Sequence, residues 1–108
     1  MTPRGNLLGS LPDASGEEVF ETLLKHDGLE IERIVSHGQA SPPGFWYDQE
    51  RHEWVLVLQG EAGLEIERED EILHLRAGDW VEIPARRRHR VDWTSSEGPT
   101  VWLALHYR

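Results

Sequence analysis

From Gly28 to the end of the chain the apolar residues recur with a period of two, and that period constrains the fold more than any other feature. Leu29-Glu-Ile-Glu-Arg-Ile-Val35 alternates apolar with charged side chains, the pattern of a strand with one face buried and one in water. Ala62, Leu64 and Ile66 repeat it against Glu65 and Glu67, and Trp54-Val-Leu-Val-Leu58 is apolar on both faces. Ile72–Leu75, Trp80–Ile83, His89–Trp93 and Thr100–Tyr107 complete the series, separated by turn formers at 77–79, 84–85 and 95–99. Many short strands at regular spacing predict an all-β sandwich or barrel.

Only the N-terminal quarter departs from that period. Residues 1–14 carry turn formers and read as an extended arm. Ser15 and Glu18 have capping-box spacing, Val19, Phe20, Leu23 and Leu24 recur at helical spacing, and Gly28 stands where a helix would end. A short helix is therefore expected near residues 16–26, with an arm and helix over 1–28 and a β-barrel over 29–108. At 108 residues there is room for one domain.

Composition narrows the function classes. With no Cys there is no disulfide, thiolate metal site or thiol nucleophile. A net charge of −9 repels nucleic acid, and no apolar run is long enough for a signal peptide or membrane span. A cytoplasmic protein without nucleic-acid or membrane partners is expected. There is no Gly-x-Ser-x-Gly elbow and no glycine-rich phosphate loop.

Two stretches resemble the paired motifs of the cupin superfamily. Gly78-Asp-Trp-Val-Glu-Ile-Pro84-Ala-Arg86-Arg-Arg-His89 fits the second motif, G-x5-P-x-G-x2-H-x3-N, at Gly78, Pro84 and His89. Arg86 stands in place of its second glycine, and Trp93 in place of its final Asn. Glu53-Trp-Val-Leu-Val-Leu-Gln-Gly60 fits the end of the first motif, G-x5-H-x-H-x3–4-E-x6-G, but its two histidines are missing. Their slots hold Tyr47 and Gln49, or Trp46 and Asp48, according to the gap. The resemblance implies a cupin jelly-roll β-barrel, closest to small stand-alone bacterial cupins.

In that family the motif residues converge on one divalent metal, and only Glu53 and His89 carry over. Strand parity places His89, Val91 and Trp93 on one face, and Glu53 with Val55 and Val57 on the covered strand. Asp48 is the best replacement ligand, with His106 and Gln49 behind it. Nitrogen and oxygen donors without sulfur suit Fe, Mn, Ni or Zn. The competing expectation is a metal-free barrel in which Glu53 and His89 hydrogen-bond each other. Tyr47, in a ligand slot, is expected to face the cavity and to contact substrate, with a catalytic role open to it. Trp93 could line the pocket, Arg86 or Arg88 could receive an anionic group at its mouth, and Glu65, Glu67 and Glu69 read as a solvated stripe.

These residues are expected to serve a small-molecule-binding cupin. An oxygenase- or isomerase-type metal enzyme acting on a small carboxylate or sugar-like compound is one version. A non-enzymatic, metal-free binding or scaffold module is the other. Trp54, Leu56 and Leu58 face away from Glu53 and need a cover, so a homodimer is expected.

Overall fold

A computed structural model describes residues 1–108 as two antiparallel sheets packed face to face. The strands are β1 (Val19–His26), β2 (Leu29–Ser36), β3 (His52–Gln59), β4 (Glu61–Ile66), β5 (Leu73–Arg76), β6 (Trp80–Ile83), β7 (His89–Thr94) and β8 (Thr100–Tyr107). The larger sheet runs β1-β2-β8-β3-β6 and the smaller β5-β4-β7. Inward residues of both meet in one core, with Val55, Val57, Trp102 and Ala104 from the larger sheet against Ala62, Leu64, Ile66 and Leu75 from the smaller. That two-sheet jelly-roll is the expected fold.

The expected helix is absent. Residues 19–26 form β1, which pairs with β2 from Val19↔Val35 to His26↔Leu29. Asp27-Gly28 is a two-residue hairpin loop, and Gly28 has φ +77°, the left-handed conformation such loops require. Asp-Gly between apolar runs is a hairpin signal that a helix-ending reading of Gly28 obscures. Ser15 caps nothing; its amide donates to Asp13 Oδ1 at 2.9 Å. The apolar spacing of Val19, Phe20, Leu23 and Leu24 mimics a helix because a bulge interrupts the pairing between Thr22 and Leu24.

The arm lies on the outer face of the β1–β2 end of the larger sheet. Leu7 O and Gly9 O accept from Arg33 Nη1 at 3.0 and 3.2 Å, and Arg33 also holds Glu21 at 2.7 Å. Ala14 is buried, and its carbonyl accepts from Gln39.

Candidate functional site

Antiparallel register decides what faces the space between the sheets. Glu53 is opposite Ile83 on β6 and His106 on β8, so its side chain shares the inward face with Val55 and Val57. His89 opens β7 opposite Ile66 and also bridges to Tyr47, whose amide donates to His89 O at 2.7 Å. Tyr47 thus enters the barrel from the loop before β3, its ring stacked on His89 with centroids 5.4 Å apart.

These residues converge on a cavity of ≈ 70 Å³ between the sheets, open at one end. Its polar lining is Glu18, Gln49, Glu53 and His89, and its aromatic wall is Phe20, Tyr47 and Trp102. Aliphatic side chains from both sheets supply the rest, and no Lys or Arg reaches it.

Glu53 and His89 are 9% and 5% exposed, with His89 Nε2 3.3 Å from Glu53 Oε1. His89 Nδ1 lies 3.0 Å from Arg87 O. A carbonyl only accepts, so Nδ1 carries a proton and Nε2 is the atom left to face the carboxylate. Two bare lone pairs would repel there, so the arrangement calls for a hydrogen-bond donor between the two atoms. Burial first, then the carboxylates of Glu18, Glu53 and Glu32, raise the Tyr47 phenol above its usual range. Tyr47 therefore stays a neutral donor beside the pair.

Glu18 escaped the sequence reading because its spacing from Ser15 looked like a helix cap. It precedes β1, and the buried Ser36 hydroxyl holds it in the cavity. Ser36 in turn accepts from Trp102 Nε1 at 3.2 Å. The only advance signal was a carboxylate two residues before Phe20, on the same strand face.

The other expected site residues lie elsewhere. Asp48 turns outward and pairs with Arg86 at 3.4 Å, so it supplies no third ligand. His106 shares the inward face opposite Glu53, but Glu32 holds its Nε2 at 2.9 Å, its Nδ1 is buried without a partner, and it is not part of the cavity wall. Gln49 does reach the cavity, where its Oε1 is buried without a hydrogen-bond donor. Arg86 pairs with Asp48 and Glu50, while Arg88 pairs with Glu67 at 2.8 Å and lies over the Trp46 ring. Both guanidiniums are spent outside the cavity. The acidic stripe is therefore not merely solvated, since Glu65 and Glu69 likewise pair with Arg90 and Arg87.

Trp93 is also displaced. A register shift between Gly63 and Leu64 breaks strand parity after Val91, so Trp93 faces outward opposite Gly63. A Cβ on Gly63 would meet Trp93 Nε1 at 2.1 Å, which leaves the indole flat against bare backbone.

A divalent metal needs more than this donor set gives. Glu53 and His89 converge, but no group of three His, Cys, Asp or Glu side chains comes together. The Gln49 amide oxygen is a weak supplement, and the usual two-His-one-carboxylate arrangement is not assembled. The residues present do not fit a resident metal.

The cupin domain family matches residues 32–106, from within β2 into β8. The chain belongs to the cupin family. A crystal structure from Ralstonia eutropha, described as a putative mannose-6-phosphate isomerase, is similar at 51% identity and TM-score 0.95, covering 98% of each chain. A cupin superfamily protein from Desulfitobacterium hafniense shares the fold at 19% identity and TM-score 0.78, over 99% of this cupin and 93% of that chain. An RmlC-like cupin with a double-stranded β-helix fold, from Methanocaldococcus jannaschii, shares it at 17% identity and TM-score 0.68, over 83% and 79%. No curated protein matches this cupin.

Proposed function

We propose that this cupin binds a small molecule between its sheets, with the Glu53–His89 pair meeting the ligand directly and no resident metal between them. The observation that carries the reading is the His89 contact set: Nδ1 is fixed on Arg87 O, and Nε2 faces a buried carboxylate whose one ion-pair partner is His89. Asp48 and His106, which would complete a metal site, are tied to Arg86 and Glu32 instead.

A second reading, turnover by proton transfer, draws on the same pair. Glu53 and His89 lie within reach of one another as an acid–base pair, and the neutral Tyr47 phenol beside them is a donor to the ligand. That set suits an isomerase-type reaction on a sugar-like compound better than an oxygenase. The similarity to the Ralstonia eutropha protein supports the isomerase class, while a cavity that no Lys or Arg reaches argues against a phosphate or carboxylate entering it.

The test has two arms. Untagged protein purified without chelator is expected to hold only substoichiometric Fe, Mn, Ni or Zn and to gain none on titration. A thermal-shift screen of small sugars, alcohols, acids and amines should find stabilisers that act on wild type and lose their effect in Glu53→Gln and His89→Ala. Stoichiometric metal lost in His89→Ala would overturn the metal-free reading, and a blank screen would overturn ligand binding at this cavity.

A further inference from the structure

The cavity collects acceptors and aromatic faces but no Lys or Arg. Glu18 and Glu53 bring carboxylates, and Gln49 brings a buried Oε1 with no donor. Glu18 takes one hydrogen bond from Ser36, which fixes its carboxylate in the wall. Glu53 is 9% exposed, pairs with His89 and has His106 opposite it on β8. The one basic side chain lining the cavity is the His89 imidazole, against two carboxylates; His106, opposite Glu53, is itself held by Glu32. Phe20, Tyr47 and Trp102 add ring faces, which attract a cation through their quadrupoles.

The basic residues that would reverse this balance are all committed outside. Arg86 holds Asp48 and Glu50, Arg87 holds Glu69, and Arg88 holds Glu67. An anion entering the cavity would leave water to meet like charge with nothing to compensate. A group rich in N–H donors meets the opposite situation: each unpaired acceptor gains a donor, and the positive charge offsets the surplus carboxylate.

We infer that the ligand of this cavity is a small organic cation whose primary ammonium head enters between Glu18, Glu53 and Gln49. The inference rests on the small-molecule-binding reading above and adds the chemical class. At ≈ 70 Å³ the cavity takes a head group, and a tail leaves past Phe20, which is 53% exposed at the open end. Trp102 and Tyr47 flank the head and report on it.

The experiment compares three probes with one propyl tail and different heads: propylammonium, 1-propanol and butyrate. Each is titrated into the full chain at constant ionic strength, following the indole N–H resonance of Trp102 and the ring resonances of Tyr47. Propylammonium should bind about tenfold or more tightly than 1-propanol, and butyrate should not bind. Glu18→Gln should reduce that preference about tenfold while leaving 1-propanol unchanged. Glu53→Gln serves as a second removal of charge should Glu18→Gln lower the melting temperature enough to complicate the titration. Equal or tighter binding of 1-propanol or butyrate would overturn the cation class and leave the cavity's binding role standing. Silence from all three overturns the ammonium assignment, and the thermal-shift screen then decides separately whether the cavity binds anything.

Discussion

Ser36 and Glu18 are joined through the core: the Ser36 hydroxyl donates to the Glu18 carboxylate while accepting from the Trp102 indole. One buried oxygen therefore fixes both an acid and an aromatic wall of the cavity. Ser36→Ala removes the acceptor of a buried N–H and the donor to Glu18. A loss of about 1–3 kcal/mol is expected, because the stranded indole is desolvated without a partner. Urea denaturation measures it, and Ser36→Thr, which keeps the hydroxyl, should recover part of the loss. A change near zero for Ser36→Ala would mean that the network carries no stability.

Arg86 has φ +66°, at the position where the cupin motif has glycine. A side chain in that conformation costs about 1–2 kcal/mol, partly offset by glycine's greater unfolded-state freedom. The ion pairs that Arg86→Gly would delete are 3.4 Å long and exposed, worth little. The backbone bond from Arg86 N to Gln49 O, 2.7 Å, survives the change. Arg86→Gly should therefore stabilise the protein by up to about 1 kcal/mol in urea. A clear destabilisation would show that the pairs with Asp48 and Glu50 outweigh the strain.

His106 ties acid–base chemistry to stability. Its hydrogen bond to Glu32, followed by the nearby Glu53 and Glu32 charges, raises its pKa above the ordinary 6.5 against opposing burial and Arg51. A raised folded pKa stabilises the fold fully below pH 6.5, and the contribution is lost as the pH climbs through the folded value. Wild-type melting temperature should thus fall as pH rises above neutrality, relative to His106→Gln, which keeps a donor but does not titrate. Parallel pH profiles for the two proteins would remove His106 from the account.

Across the larger sheet Trp54 faces Leu105 and Leu56 faces Leu103, all on the side away from Glu53. Trp80 stacks on Trp54 with centroids 5.7 Å apart and is 59% exposed. The arm covers the β1–β2 end instead, through Arg33, and no helix exists to cover this region. We propose that a second copy does so by a two-fold contact. Light scattering should give about 25 kDa, twice the chain's 12.4 kDa, with Leu56→Glu returning it to one chain. A single-chain mass for wild type at all concentrations would refute the dimer.

The period of two specified every strand from β2 onward, because alternation alone decides which side chains a sheet can bury. The resemblance of Gly78, Pro84 and His89, and of Glu53, to the two cupin motifs implied that two residues far apart in the chain share one site. What local pattern could not decide was partnership. Val19–His26 has helical spacing, and it became a strand because Asp27-Gly28 folds it back onto β2, where its amides find a ladder. Trp93 follows His89 at strand spacing, yet one bulge against Gly63 turned it outward.

Charge followed the same rule. Asp48, Arg86 and Arg88 looked available as ligands or anion receptors, and each was neutralised by a residue from another segment. Glu18 looked like a helix cap and became a cavity wall when Ser36 on β2 held it. The sequence by itself determined the strands from β2 onward and the inward faces of Glu53 and His89, which follow from parity along single strands, while their meeting at one site was what the cupin resemblance implied. Only the tertiary structure decided the cavity's acidity and the missing third ligand, because a charge's role depends on which distant side chain neutralises it.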